Sequence, residues 1–138
     1  MRHLNVLEDS FTTSIQTKKH SFIADEPTSV GGNDFGPSPY DFLSAGLAAC
    51  TAMTLKLYAG LKKWDLQKVF VYLTYSKKHS DDIIIDVNIP TRFGHLQKKL
   101  KFISNLDEEQ TERLKEIASK STVHKKLQNK IIIETEIL

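Results

Sequence analysis

The sequence predicts an α+β fold with antiparallel sheet, organised around one long central helix. Two observations lead there. Strand-like segments come in groups, with few helical ones between them, which favours antiparallel pairing over alternating βαβ units. The run from Pro39 to about Lys62 carries helix start and stop signals and no internal proline. No internal repeat, low-complexity tract or long linker divides the 138 residues, so residues 1–138 read as a single domain large enough for a real core.

The elements follow in order. Residues 4–7, 11–17 and 20–24 read as three short strands, rich in Thr12, Thr13, Ile15, Phe22 and Ile23. Asp9-Ser10 and Lys18-Lys19 mark the turns between them, and Asp25-Glu26-Pro27 ends the third. Residues 28–36 form a loop of Gly, Ser, Asn and Asp. Ser38 is then a helix N-cap, Pro39 takes the first helical position, and Asp41 takes the third, where a carboxylate reaches back to free N–H groups. At about 1.5 Å per residue this helix is roughly 36 Å long. Its apolar residues, from Leu43 through Leu47, Cys50 and Met53 to Leu57, cover most of the circumference. That pattern predicts burial on all sides, under a sheet or a partner subunit. Lys56 interrupts the run, so a bilayer span is not expected.

Further on, residues 66–76 alternate Val69, Val71, Leu73 and Tyr75 with Lys68, Phe70, Tyr72 and Thr74, a strand with both faces partly covered. Residues 77–82 are a polar link, and 83–89 a short β-branched segment closed by Pro90. After Gly94 comes a strand over 95–103, its apolar character on Leu96, Leu100 and Phe102. Asp107 and Gln110 make a capping-box pattern for a second helix, with Leu114, Ile117 and Ala118 as its apolar face. Residues 121–128 read as a short third helix, stopped by Asn129, and 131–138 as a last strand.

Composition excludes several classes. A net charge of +2, with lysines scattered along the chain, gives no nucleic-acid footprint. Met1-Arg2-His3 leads into a polar segment rather than a signal peptide. The single cysteine cannot form an internal disulfide, which fits a cytoplasmic setting.

Cys50 is the first candidate for chemistry. A lone cysteine on an apolar helix reads as a small core residue before it reads as a nucleophile. It lies about three turns from its own helix N-terminus, too far to use that dipole. A reactive thiolate there requires a cation or hydrogen-bond donors from another element. His3, His20, His79, His95 and His124 lack metal spacing, and neither CxxC nor HExxH occurs, so no metal and no cofactor is expected. Asp25 and Glu26 suit a turn, and Gly31-Gly32 is followed by no phosphate-loop Lys.

Taken together, Asp25-Glu26-Pro27, Gly31-Gly32, Gly36-Pro37-Ser38-Pro39-Tyr40-Asp41-Phe42-Leu43 and Ala49-Cys50-Thr51-Ala52-Met53-Thr54 resemble the OsmC/Ohr family of osmotically inducible and organic-hydroperoxide-resistance proteins. The segment from Leu106-Asp107-Glu108-Glu109-Gln110 to Val123-His124-Lys125 resembles the same family's second helix. The resemblance implies an OsmC-like fold: an intertwined homodimer with long central helices wrapped by sheets of both chains, and a site at the dimer interface. It also implies thiol peroxidase chemistry, with Cys50 at the position of the attacking cysteine. Three departures mark a single-cysteine sub-branch. Ser121 stands where the family's second cysteine does. Tyr40, with Asp41 beside it, stands where hydroperoxidase members carry a Glu that braces an Arg. The family's activating Arg comes from the N-terminal strands, whereas no Arg occurs between Arg2 and Arg92.

Two functions are thereby expected. In one, Cys50 reduces a small-molecule peroxide and an external thiol resolves the sulfenic acid, with Ser121, Tyr40 and Asp41 as pocket neighbours and Arg2 or Arg92 as activating cation. In the other, the protein binds a small hydrophobic ligand in an interface pocket that Cys50 merely lines. Neither reading involves nucleic acid or a membrane.

Overall fold

The computed structural model describes residues 3–6, 10–79, 92–129 and 135–137; the side chains of residues 3–6, 76–79 and 92–95 lie outside this description. The β-branched segment 83–89, readable as an edge strand or an ordered loop, lies outside the described residues, as does most of the strand expected at 131–138. Two compact units are present, residues 1–45 and residues 46–138.

The first unit is built on a three-stranded antiparallel sheet of β1 (His3–Val6), β2 (Thr13–Gln16) and β3 (Ser21–Ala24). β2 is shorter than expected because Thr12 turns out of the strand. Its hydroxyl donates to the buried carboxylate of Asp25 at 2.8 Å. That carboxylate also accepts from the backbone N–H groups of Glu26 at 2.8 Å and Phe35 at 3.3 Å, and so pins the loop after β3. Burial alone raises the Asp25 pKa, but the donors of Thr12, Glu26, Phe35 and Asn33 outweigh it and hold the group below the usual carboxylate range. The same loop explains two glycines. A Cβ on Gly32 would lie 1.8 Å from the Glu26 carbonyl oxygen, and one on Gly36 would lie 2.3 Å from that of Ile23.

Helix α1 (Pro39–Lys62) has the bounds the sequence predicts. Its start is a reciprocal cap: Asp41 accepts from the Ser38 N–H at 2.9 Å, and the Asp41 N–H donates back to Ser38 Oγ at 3.3 Å. Its end is a Schellman motif. Trp64 N–H donates to the Ala59 carbonyl at 2.8 Å, Lys63 N–H to that of Gly60 at 3.1 Å, and Lys63 takes the left-handed φ of 56°. Trp64 then packs edge-on against Tyr58, ring centroids 5.6 Å apart.

In the second unit, β4 (Leu66–His79) and β5 (Arg92–Ser104) form a long antiparallel ribbon, with a register irregularity at Leu66/Lys68. Both strands run longer than the sequence suggested. Lys77, Lys78 and His79 pair with Gly94, Phe93 and Arg92, so the ladder continues through residues whose composition reads as a polar link. Helix α2 (Glu108–Ala118) opens with the expected capping box of Asp107 and Gln110, and α3 (Thr122–Gln128) follows after a tight corner.

The core of this unit joins Leu55 and Ala59 of α1, Leu66 of β4, and Leu114, Ile117 and Ala118 of α2. Val69, Leu100 and Phe102 from one face of the ribbon pack against it. The expectation of a central helix buried on every side is therefore not met within one chain. Only the line Leu47, Thr51, Leu55 and Ala59, spaced four residues apart, is buried. Met53, Leu57 and Leu61 stand at 70%, 67% and 76% exposure. By length and composition α1 could cross a membrane, yet one of its faces is committed to this internal core.

Candidate active site around Cys50

Cys50 is a free, partly buried cysteine midway along α1, one residue before the fully buried Thr51. The donors that the sequence reading required from another element come from the corner between α2 and α3. Ser121 occupies the N-cap position of α3 but makes no side-chain cap to its own helix. The N–H groups of the first turn are thereby left for another acceptor, and those of Val123 and Thr122 favour the Cys50 thiolate.

The thiol pKa is lowered as a result. The Val123 N–H is the largest influence; partial burial pulls the other way; the Ser121 hydroxyl, the Thr54 hydroxyl and the Thr122 N–H add to the lowering. The Thr54 hydroxyl is not free to serve the sulfur. It already donates to the Cys50 carbonyl at 2.7 Å, and one proton cannot serve both atoms. Ser121 is the opposite case. It is 1% exposed and its Oγ makes no hydrogen bond within the protein, although it favours the thiolate.

A cation stands at the same place. Lys98 Nζ donates to the Ala118 carbonyl at 2.7 Å and to Thr51 Oγ1 at 3.4 Å, and lies 3.1 Å from Nδ1 of His124. Burial lowers its pKa, and attraction to Cys50 opposes that shift. His124 is lowered too, first by burial and then by the Lys98 charge. Its ring is therefore neutral at pH 7, and its Nδ1 is an acceptor.

The structure thus brings Cys50 and Ser121 together. Asp41 is committed to its cap with Ser38, which holds its carboxyl below the usual range, and Tyr40 sits beside it in the first turn of α1. Arg2 lies outside the described residues, as does the side chain of Arg92, whose backbone pairs with His79. Along β5, Arg92 is six residues from Lys98, roughly 20 Å of strand. Among the described residues, Lys98 is a cation beside Cys50 that the sequence reading did not name. The signal was present in its parity: it shares the inward row of β5 with Leu96, Leu100 and Phe102, where a charge is out of place.

A sequence model of the OsmC-like proteins matches residues 31–136, well over half of the chain. The chain belongs to the OsmC-like family. Solved structures agree on the fold. The OsmC-like protein of Mycoplasma pneumoniae superposes with a TM-score of 0.72 at 19% identity, over 93% of this chain and 86% of that one. The organic hydroperoxide resistance protein OsmC of Legionella pneumophila, also described as a predicted redox protein, gives 0.67 at 15% identity, over 93% and 89%. A protein of Vibrio cholerae O1 biovar eltor str. N16961, assigned to organic hydroperoxide resistance and holding captopril in one of its active sites, gives 0.57 at 18% identity, over 87% and 78%. No curated protein matches this OsmC-like chain significantly in sequence. The mixture of helices and small antiparallel sheets expected from the sequence is that of the OsmC-like fold.

Proposed function

We propose that this OsmC-like protein is a thiol-dependent redox protein that reduces organic hydroperoxides at Cys50, with an external thiol as resolving partner, and that it works as a homodimer. The observation that carries the reading is the sulfur itself, drawn toward its thiolate by the Val123 N–H, beside a buried hydroxyl with no other acceptor. A partly exposed cysteine in such surroundings matches the pattern of reactive thiols rather than of inert core ones. Relatives in fold described as hydroperoxide resistance proteins support the same chemistry.

In the reaction, the thiolate attacks one peroxide oxygen. The S–O bond forms, the O–O bond breaks, and the departing alkoxide takes up a proton to leave as an alcohol. Cys50 is then a sulfenic acid. The chain has one cysteine, so an external thiol condenses with it and releases water. A second external thiol frees Cys50 and leaves as the disulfide. Two thiols and one hydroperoxide become one disulfide, one alcohol and one water.

Homodimerisation is supported by the outer face of α1. Met53, Leu57 and Leu61 are exposed at four-residue spacing, and a Cβ on Gly46 or Gly60 would meet nothing within 4 Å. A glycine inside a helix costs roughly 0.5–1 kcal/mol relative to alanine, so two of them on an open face suit a surface that another helix approaches closely. The alternative, a hydrophobic ligand held in an interface pocket that Cys50 merely lines, gives the lowered thiol pKa no role.

The test is peroxide consumption with a small dithiol as reductant. Cys50→Ser is expected to abolish turnover of an organic hydroperoxide while leaving the fold intact. A serine protein that turns over as fast as the parent removes the proposal.

A further inference from the structure

Lys98 is a partly buried ammonium whose three hydrogen-bond partners are all uncharged: the Ala118 carbonyl, the Thr51 hydroxyl and the neutral ring of His124. Among the described residues no Asp or Glu carboxylate is bonded to it; the ion pairs present there join Arg113 to Glu116 and Lys115 to Glu112. Around it, α1 presents Cys50 and Thr51, the end of α2 the Ala118 carbonyl, α3 His124, and β4 Leu73, directly opposite in register. Withdrawing an ammonium from water is costly, and neutral acceptors replace only part of its hydration. Of the groups around it, Cys50 alone can carry a negative charge, and it opposes the effect of burial on Lys98. The attraction is mutual by necessity, since whatever a thiolate does for the ammonium the ammonium does for the thiolate.

We propose that Cys50 and Lys98 form a thiolate–ammonium pair in the resting protein, and that Lys98 is the positioning cation of the site, fixed by Ala118, Thr51 and the neutral imidazole of His124. The inference rests on the reading of Cys50 as the reacting thiol. Lys98 acts in two ways. Its charge stabilises the thiolate. Its bonds also fasten the last residue of α2 and the first turn of α3 to β5, which holds in place the turn whose Val123 and Thr122 N–H groups favour the thiolate. The ring of His124 accepts from Lys98 only while neutral, so its tautomer carries the proton on Nε2.

The test is the ionisation of Cys50, followed by thiolate ultraviolet absorbance and by alkylation rate across pH. Lys98→Met keeps the aliphatic stem and removes the charge. It is expected to shift the thiolate curve to higher pH by about one unit, which is about a tenfold slower alkylation on the acid side of the curve. Lys98→Arg restores at least half of that loss. A folded methionine protein that titrates like the parent, or an arginine protein no better than the methionine one, overturns the pair. If the methionine protein does not fold, the reciprocal measurement decides: in Cys50→Ser, followed by lysine side-chain NMR, Lys98 loses its proton at lower pH than in the parent. An unchanged Lys98 titration overturns the proposal. A parent that shows the pair but turns over no hydroperoxide defeats the peroxidase reading alone.

Discussion

The hydroxyl of Ser121 is buried and makes no hydrogen bond within the protein, although it favours the Cys50 thiolate. An unsatisfied polar group in such a place destabilises a protein by roughly 1–3 kcal/mol. Ser121→Ala is therefore expected to leave stability unchanged or raise it by about 1 kcal/mol. The same substitution removes a donor from the thiolate, so Cys50 ionises at higher pH and alkylates several-fold more slowly near neutrality. Chemical denaturation and alkylation kinetics on one preparation check both signs; a loss of stability with no change in reactivity would assign Ser121 to packing alone. Cys50 and Ser121 were named from the sequence only through the family resemblance, and the structure sets them close to each other. Lys98 was not, because a lysine in a strand with other lysines reads as solvated until its row is known to face inward.

At the scale of elements, the caps were the most readable features. Ser38 with Asp41 and Asp107 with Gln110 act over three residues, so spacing alone specifies them. The end of α1 was less readable. Lys63 holds a left-handed φ of 56° that an L side chain disfavours by roughly 1–2 kcal/mol. Lys63→Gly keeps both Schellman hydrogen bonds and is expected to stabilise the protein by about 1 kcal/mol, seen as a higher denaturation midpoint at constant m-value. The lengths of β4 and β5 were hidden for another reason. Pairing across the ribbon carries Lys77 and Lys78 into the ladder, and a partner strand is not visible in local composition.

At the scale of the whole molecule, His124 links the site to stability. Burial first, and the Lys98 charge second, hold its pKa below the ordinary 6.5. The unfolded chain binds a proton there that the folded one refuses. Stability therefore falls as pH drops from about 6.5 toward the folded value, and this group contributes no further loss below it. His124→Asn keeps an acceptor for Lys98 without titrating, so its denaturation midpoints are expected to vary less over that window than the parent's. The exposed stripe of α1 makes a second prediction. Leu57→Lys places a charge on the face proposed to be shared by two copies, and sedimentation is expected to show a dimer for the parent and a monomer for the variant. Equal masses for both would remove that face from the interface.

The sequence alone determined the helices, their caps, the strand grouping and the place of the single cysteine, because each depends on contacts within a few residues or on residue type. Tertiary structure decided the rest. Only the packing of α1, β5 and the α2–α3 corner reveals that Lys98 and the N–H groups of Val123 and Thr122 converge on Cys50. The physical reason is range: hydrogen bonds within a turn are written in neighbouring letters, whereas the field at the sulfur is set by groups 48 to 73 residues away in the chain, from Lys98 to Val123.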